Sequence, residues 1–153
     1  MNEEVMTRFW QKVLVTPDHW LWTGGTNQKG YGLFRLNNPR RLIRAHLFAY
    51  QWWHGEPMPP GLLGDHWCQN RGCVNPLHLR PATNSQNQQN LVPVKARSGY
   101  RNVYPSRGRW NVYVTLDQKR HYGGTFTDPA EADAAARAMR DRLFTHHLDG
   151  ATT

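Results

Sequence analysis

The sequence predicts an α+β fold in two small parts, with short antiparallel strands and a few helices. Three observations support this prediction. Apolar and polar residues alternate with a period of two over 109–116, which is typical of a strand in a sheet with one buried face. Asp128-Pro129 is a helix-start signal, and an alanine-rich stretch follows it. A segment punctuated by Pro93 and Ser98-Gly99 separates two regions of different composition.

The elements of the first half follow from local periodicity. Two segments have the spacing of a helix, two more alternate as strands around a Gly- and Asn-rich turn, and a polar segment starts with a helix N-cap residue. In chain order these are a helix at 4–14, strands at 20–23 and 32–36 joined by the turn 24–30, a helix at 42–53 and a polar helix at 83–90.

The elements of the second half predict a sheet with a helix on one face. Strand 109–116 would be flanked by strands at 100–104 and 120–122, and the helix after Asp128 would run to about residue 147. The packing stripe of that helix consists of Ala132, Ala135, Ala136, Met139 and Leu143. We therefore expect a small three-stranded antiparallel sheet packed on one helix.

Composition and charge exclude several classes of protein. The 153 residues include 19 Lys or Arg and 11 Asp or Glu, which gives a net charge of +8. No apolar run approaches the roughly 18 residues of a membrane span, and the N-terminus has acidic residues where a signal peptide needs a basic segment. We therefore expect a cytoplasmic protein, neither secreted nor in a membrane, with reduced cysteines. A basic surface on a small chain favours a nucleic-acid partner, and residues 95–127 alone hold seven bases and one acid.

One short stretch has the spacing of a metal site. Cys68 and Cys73 are five residues apart, and His78 follows five residues later. Two thiolates and one imidazole are three of the four ligands of a tetrahedral zinc ion, and the alternative is a pair of buried cysteines beside a surface histidine. The fourth ligand is not local, and we favour His19 because it begins a tryptophan-flanked strand. On spacing alone the competing histidines are His46, His54 and His66.

The same stretch resembles a nuclease motif. Asp65-His66-x-Cys68-x4-Cys73-x-Asn75-Pro76-x-His78-Leu79, followed by Asn87, is similar to the ββα-metal motif of HNH (His-Me finger) endonucleases, and most to zinc-containing homing endonucleases of phages and introns. His19-Trp-Leu-Trp and Arg44-Ala-His46 match the same family, so that the resemblance covers about residues 8–90. The family usually has cysteine at the position of His19, and histidine also binds zinc. The implied ligands of a structural Zn²⁺ ion are His19, Cys68, Cys73 and His78.

The resemblance also implies the chemistry of the site. His66 would be the general base that takes a proton from water. Asp65 and Asn87 would hold one Mg²⁺ or Mn²⁺ ion, separate from the zinc. An arginine near the end of a hairpin commonly contacts the scissile phosphate in this family. Asn38-Pro39-Arg40-Arg41 offers two candidates, of which we favour Arg41, and the alternative is a solvated basic turn.

The second half resembles the Apetala-type, ethylene-response-factor-like DNA-binding domain over about residues 97–145. Ser98-Gly-Tyr-Arg-Asn-Val-Tyr104 and Tyr122-Gly-Gly-Thr-Phe126 are two of the matching segments. In that family a three-stranded sheet lies in the DNA major groove and is backed by one helix. The chain departs from the family at Asn102 and Gly123, and the glycine is expected to leave less apolar filling under the helix.

The outward face of this sheet is the predicted DNA-contact surface. Arginine can pair with guanine edges or phosphates, and tyrosine can stack or contact sugar. The alternative is a basic, solvated sheet face. The candidate contacts are Arg101, Tyr104, Arg107, Arg109, Tyr113, Thr115, Arg120 and Tyr122.

Together these features predict a sequence-targeted DNA endonuclease, a metal-dependent phosphodiester hydrolase encoded by a phage and active in the bacterial host. Its parts would be a nuclease domain at 1–91, a linker at 92–97 and a DNA-binding domain at 98–148. The partner would be double-stranded DNA, bound by a monomer because no apolar heptad indicates a dimer, with a dimer assembled on DNA as the alternative. Two other functions compete: a zinc-containing DNA-binding regulator without catalysis, and an RNA or structure-specific nuclease.

Overall fold

The computed structural model describes residues 2–90 and 97–147, and it divides the chain into two compact units, 1–83 and 84–153. The fold is α+β with small antiparallel sheets, as predicted. Residues 84–90 were expected in the first domain, whereas they group with the second unit. Most of the predicted linker, 92–96, lies outside the described residues, as do the predicted domain ends Leu91 and Leu148. In the described part of the chain, no helix is long and apolar enough to span a membrane.

The first unit combines helices with two-stranded antiparallel sheets. Its described elements are α1 (Glu3–Trp10), β1 (Val13–Val15), β2 (Trp20–Trp22), β3 (Leu33–Asn37), β4 (Arg40–Arg44), α2 (Ala45–His54), β5 (Leu63–His66), a 3₁₀ helix (Pro76–His78) and β6 (Leu79–Ala82). The sheets pair β1 with β2, β3 with β4 and β5 with β6.

The hairpin predicted between strands 20–23 and 32–36 is wrong. β2 pairs with β1, and β3 pairs with β4. The loops that close these ladders, 16–19 and 38–39, are shorter than the connection between β2 and β3. Closing a short loop loses less chain entropy, so each strand pairs with its nearer neighbour.

Two helix boundaries in this unit also differ from the prediction. The helix expected at 4–14 ends at Trp10, because Val13-Leu-Val15 is rich in β-branched residues and forms β1. The helix expected from residue 42 begins at Ala45, because 42–44 complete β4 opposite β3.

The core of the first unit is built from aromatic rings. The ring centre of Phe9 lies 5.3 Å from those of Trp22 and Phe34 and 4.8 Å from that of Phe48. All four side chains are buried. A Cβ at Gly32 would come within 2.6 Å of the Trp22 ring, so only glycine allows β2 this close to the start of α2. The aromatic core therefore fixes β2, and with it the residues just before β2.

The second unit contains α3 (Asn84–Gln89), β7 (Val103–Ser106), β8 (Arg109–Leu116), β9 (Lys119–Phe126) and α4 (Pro129–Leu143). The predicted polar helix is thus confirmed within one or two residues, and the strand 109–116 is confirmed with its inward Val112 and Val114 buried. The sheet order is β7-β8-β9, antiparallel throughout. The predicted flanking strands shift or lengthen: β7 starts at Val103, and β9 extends to Phe126.

Helix α4 begins as predicted and ends earlier. The Asp128 side chain accepts a hydrogen bond from Ala130 N, which caps the first turn. The helix stops at Leu143 rather than near 147, because the Thr145 and His146 amides donate to Gln89 Oε1 instead of continuing the helix. The segment after α4 is therefore held by the side chain of α3's last residue.

The core of the second unit is aliphatic and tightly packed at Gly123. Val112 and Met139 are among its buried members. A Cβ at Gly123 would lie 2.6 Å from Val112 Cγ1 and 3.3 Å from Met139 Cε. The expectation that this glycine leaves a poorly filled core is wrong, because its neighbours already occupy the space a side chain would need.

Candidate metal centre and the histidines beside it

The structure brings together the four predicted zinc ligands. One ligand atom from each of them lies within 4.8 Å of all the others, in a cluster of His19, Cys68, Cys73 and His78. Cys73 Sγ and His78 Nδ1 are 3.6 Å apart. With Zn–S near 2.3 Å and Zn–N near 2.0–2.1 Å, the S···N edge of a tetrahedral site is about 3.6 Å. The cluster could therefore bind a metal ion such as zinc.

Local hydrogen bonds explain how a distant histidine joins the cluster. The two cysteines and His78 lie between β5 and β6, whereas His19 lies just before β2. We call residues 67–78, between β5 and β6, the metal loop. Trp22 N donates to Gly72 O at 2.9 Å, and Val74 N donates to Trp20 O at 2.7 Å, so β2 is bonded to this loop on both sides of Cys73. These contacts place His19 against the loop.

The donor atoms of the cluster have the properties that a cation requires. His19 Nδ1 is buried and has no hydrogen-bond partner in the part of the chain that is described. A hydrogen bond from Cys68 lowers the pKa of the Cys73 thiol and raises the pKa of Cys68. The two sulfurs therefore lie within hydrogen-bonding distance of each other, and a divalent cation would bind both of them as thiolates. Buried cysteines without a site, the competing interpretation, would not need this geometry.

The three competing histidines do not belong to the cluster. His54 packs on Tyr50, with ring centres 4.2 Å apart. His46 and His66 contact each other instead, with ring centres 4.7 Å apart. Trp67 contacts the cluster from outside: its ring centre is 4.8 Å from that of His78, and its Nε1 donates to Leu77 O.

His66, the predicted general base, is linked to the metal loop by its own ring. Its Nε2 lies 2.9 Å from Cys73 O. A carbonyl oxygen can only accept, so Nε2 carries the proton and Nδ1 carries the lone pair. Burial is the main cause that lowers the pKa of His66, although the bond to Cys73 O acts in the opposite direction. His66 is only 6% exposed.

Asp65, the predicted metal ligand beside it, is buried in an ion pair. Asp65 lies opposite Arg80 in the β5–β6 ladder, and Arg80 Nε donates to Asp65 Oδ2 at 2.7 Å. Sequence reasoning missed Arg80, although a basic residue two positions beyond His78 is visible in the sequence. Asn87, the second predicted oxygen ligand, lies on α3 in the second unit.

A cluster that the sequence did not predict surrounds His66. His46, on α2, is 1% exposed, and neither ring nitrogen has a hydrogen-bond partner among the described residues. Burial, followed by the neighbouring His66 and Arg44, lowers the pKa of His46 to about 3. The ring centre of Tyr31 is 5.4 Å from that of His46 and 6.0 Å from that of His66. Arg44 and Arg71 both lie over the Tyr31 ring.

The favoured phosphate ligand, Arg41, lies elsewhere on β4. It is exposed near the start of that strand, opposite Leu36. Arg44 ends the strand and is one of the two arginines over the Tyr31 ring. At about 3.3 Å per residue, some 10 Å of strand separate the two positions.

Most predicted DNA contacts lie on one face of the second unit's sheet. Three tyrosines form a row across the strands: Tyr113 has its ring centre 6.2 Å from Tyr104 and 5.3 Å from Tyr122. Arg120 lies 3.6 Å over the Tyr113 ring and opposite the exposed Thr115. Arg107 and Arg109 are exposed at the turn between β7 and β8.

Arg101 is the exception among these predicted contacts. Its Nη2 donates to Gln89 O at 2.7 Å, and its guanidinium lies 5.6 Å over the Phe144 ring. The side chain is thus bound within the unit rather than in the row of tyrosines.

The chain is similar to several phage proteins. It is 32% identical to protein 2.8 of Escherichia phage T7 over 101 residues, which cover 64% of this chain and 68% of that protein. It is 38% identical to protein 7.7 of the same phage over 71 residues, and 39% identical to the uncharacterized gene 5.3 protein of Enterobacteria phage T3 over 57 residues. These shorter matches cover 46% and 35% of this chain, and the chain spans about half the length of each relative, 52% and 56%. No family model and no solved structure matches it.

Proposed function

The chain belongs to the same family as protein 2.8 of Escherichia phage T7, and we propose that it is a DNA endonuclease of the HNH (His-Me finger) type. The main support is the hydrogen bond from His66 Nε2 to Cys73 O. It leaves the lone pair on Nδ1, and the lowered pKa keeps the ring unprotonated at neutral pH. An oriented, unprotonated imidazole is what a general base requires.

The order of elements around His66 supports the same proposal. His66 ends β5, the loop after it contributes three ligands of the metal cluster, β6 follows, and α3 comes next in the chain. This is the order of the ββα-metal motif that the sequence resembles. We propose that β5 and β6 are the two strands of that motif, while the part of α3 in it stays a prediction from the resemblance.

Cys73 has two functions in this proposal. Its Sγ is a ligand of the proposed structural zinc site, while its carbonyl oxygen accepts from the His66 ring. A loop held by its metal ligands therefore also holds the general base in one tautomer and one orientation. Partners that orient a reactive side chain in this way are a common requirement for precise catalysis.

The proposed reaction is hydrolysis of a phosphodiester bond. His66 Nδ1 accepts a proton from the attacking water, and Asp65 lies beside it in the ion pair with Arg80. Carboxylate oxygens are ligands that Mg²⁺ and Mn²⁺ prefer, which is the ground for assigning Asp65 to a metal ion. A Mg²⁺ or Mn²⁺ ion bound there would supply charge stabilisation at the phosphate and at the leaving 3′-oxygen. The part of Asn87 in holding this ion stays a prediction from the resemblance.

The second unit would bind double-stranded DNA. Its exposed sheet face combines the row of tyrosines with Arg107, Arg109 and Arg120, and Asp117 is the one acid in residues 95–127. Guanidinium groups suit phosphates and guanine edges, and this face is therefore the proposed targeting surface. An active site with a single general base hydrolyses one strand at a time, so a monomer would nick DNA.

Cleavage of a supercoiled plasmid with Mg²⁺ or Mn²⁺ tests the proposal. Wild-type protein should convert the plasmid to the nicked form, and His66→Ala should lower the rate by about 10²–10⁴-fold, the usual contribution of a general base. His54→Ala is the matched control, because His54 packs on Tyr50 away from the cluster. Zinc content and duplex binding should be unchanged in both variants.

Three outcomes would contradict parts of this proposal. Equal cleavage by wild-type and His66→Ala protein would remove His66 as the base. Tight duplex binding without cleavage under either metal ion would favour the DNA-binding regulator instead. Cleavage confined to RNA or to branched substrates would favour the structure-specific nuclease.

A further inference from the structure

Two arginines share one aromatic ring beside the proposed general base. The guanidinium carbon of Arg44 lies 5.3 Å from the ring centre of Tyr31, and that of Arg71 lies 5.7 Å from it. Arg44 ends β4, and Arg71 lies in the metal loop between the two cysteines. Two distant segments therefore bring positive charge to the same tyrosine.

Neither arginine is neutralised within the unit. Both are exposed, and within residues 2–90 neither forms an ion pair with an acidic side chain, whereas Arg80 does. Arg71 has one backbone contact, from Nη1 to Lys29 O at 3.3 Å. A guanidinium stacked on a ring is oriented, and its N–H edge remains suited to a second partner. The natural partner of two such groups is an anion with several oxygens.

The distance to His66 fits an anion at the reacting centre. Tyr31 and His66 have ring centres 6.0 Å apart, so both guanidinium carbons lie within about 12 Å of the His66 ring centre. A base contacts its water at about 3 Å, the water attacks phosphorus from about 3–3.5 Å, and a phosphate oxygen accepts from a guanidinium at about 2.8 Å. These steps together span roughly 9 Å, which is within that limit.

We propose that Arg44 and Arg71, held on Tyr31, bind the non-bridging oxygens of the scissile phosphate. This inference rests on the proposed endonuclease function and assigns to these two residues the role that the sequence gave to Arg41. In the hydrolysis the water oxygen bonds to phosphorus, its proton passes to His66 Nδ1, and the bond from phosphorus to the 3′-oxygen breaks. That oxygen then takes a proton from solvent. The two guanidinium groups transfer no proton and balance the charge that develops on the phosphate.

The experiment compares arginine variants of the full chain by two measurements. The variants are Arg44→Gln and Arg71→Gln, with Arg8→Gln as the matched control, because Arg8 also lies over an aromatic ring, Phe34. The first measurement is plasmid cleavage at saturating protein. The second is the salt dependence of binding to a short duplex. Zinc content and thermal unfolding show whether each variant is folded.

The two arginine variants should affect both measurements. Each should lower the cleavage rate by about 10²–10³-fold, as removal of one preorganised donor does. Each should also flatten the dependence of log K on log salt by about 0.9, the amount expected for one phosphate contact. Lysine at either position should restore the salt slope and only part of the rate, because lysine cannot bind two oxygens in a fixed geometry. Arg8→Gln should match the wild type.

Each other result has a defined meaning. Wild-type cleavage together with unchanged rates and slopes in both variants would overturn the inference and leave the endonuclease intact. A flatter slope with an unchanged rate would place the arginines on a different phosphate and also overturn it. A flatter slope in a wild-type-like protein that never cuts would reject the endonuclease and, with it, the assignment to a scissile phosphate, and would leave only a phosphate-binding site. Loss of cleavage in Arg41→Gln but in neither arginine variant would return the role to Arg41.

Discussion

The two units of this chain are stabilised in different ways. The first has three two-stranded sheets, a core of aromatic rings and a cluster of metal-binding side chains. The second has one three-stranded sheet under a helix, with a core of valine, alanine and methionine. Isolated two-stranded sheets are marginal in water, whereas a three-stranded sheet packed on a helix can be stable by itself. Order in the first unit therefore depends on specific side chains, and order in the second on a regular pattern.

Metal removal should produce the largest difference in stability between the two units. A structural zinc contributes on the order of 10–16 kcal/mol to the folding of a small motif. A chelator, or Cys73→Ser, should therefore unfold residues 2–83 and leave the sheet of residues 97–147 folded. Hydrogen exchange read by mass spectrometry reports each range separately.

A conservative ligand change provides the control for metal removal. His19→Cys keeps a zinc ligand at the same position and should retain both zinc and protection in the first unit. Retention of full protection by Cys73→Ser, with no zinc in the purified protein, would refute a structural metal.

Acid should also lower the stability of the first unit relative to the second, by a smaller amount. In the unfolded chain His46 titrates near 6.5, and burial lowers its pKa in the folded protein to about 3. Between these values the unfolded state binds a proton that the folded state does not. The free energy of unfolding of the first unit should thus fall as pH decreases below about 6.5, by about 1.4 kcal/mol per pH unit.

The contribution of His46 can be isolated by difference. Acid also releases metal from thiolates, so the quantity to measure is the change in pH dependence between wild type and His46→Gln. Denaturant titrations from pH 7 to pH 4.5 give the free energy of unfolding at each pH. Its decrease with falling pH should be less steep in His46→Gln, by the contribution of one proton. Parallel curves for the two proteins would mean that His46 does not titrate in this way.

The smallest effect concerns packing in the second unit. Gly123→Ala should destabilise that unit by about 1–3 kcal/mol, because the new methyl group would overlap Val112. Gly25→Ala in the first unit is the matched control, since a Cβ there meets nothing within 4 Å. It should change stability by less than about 0.5 kcal/mol. Thermal unfolding of each variant measures both, and an unchanged midpoint for Gly123→Ala would show that the sheet relaxes around the added methyl group.

The comparison also explains which parts of the structure were predictable. Strand β8 and the Asp128 cap follow from local pattern, and both are confirmed. The cluster that could bind a metal was also predictable: Cys68, Cys73 and His78 follow from spacing, and His19 from its position before a strand. Chemistry that depends on residue type within a short segment is visible in the sequence.

The missed features all depend on contacts between distant segments. The pairing of β2 with β1 is set by loop length and by the aromatic core, neither of which has a periodic signal. Tyr31 lies in a loop, and its contacts with His66, Arg44 and Arg71 join four separate segments. The candidates Arg40 and Arg41 came from a turn, which is easy to recognise in a sequence, whereas a tyrosine shared by two distant arginines is not.

Trp67 makes the state of the metal loop observable with light. Its indole contacts the ring of His78 and is fixed by the bond to Leu77 O. A divalent ion bound by His78 would place positive charge beside the indole, and indole emission depends on nearby charge. Subtracting the emission spectrum of a Trp67→Phe protein isolates the fluorescence of Trp67. This difference spectrum would therefore report metal binding without an added dye.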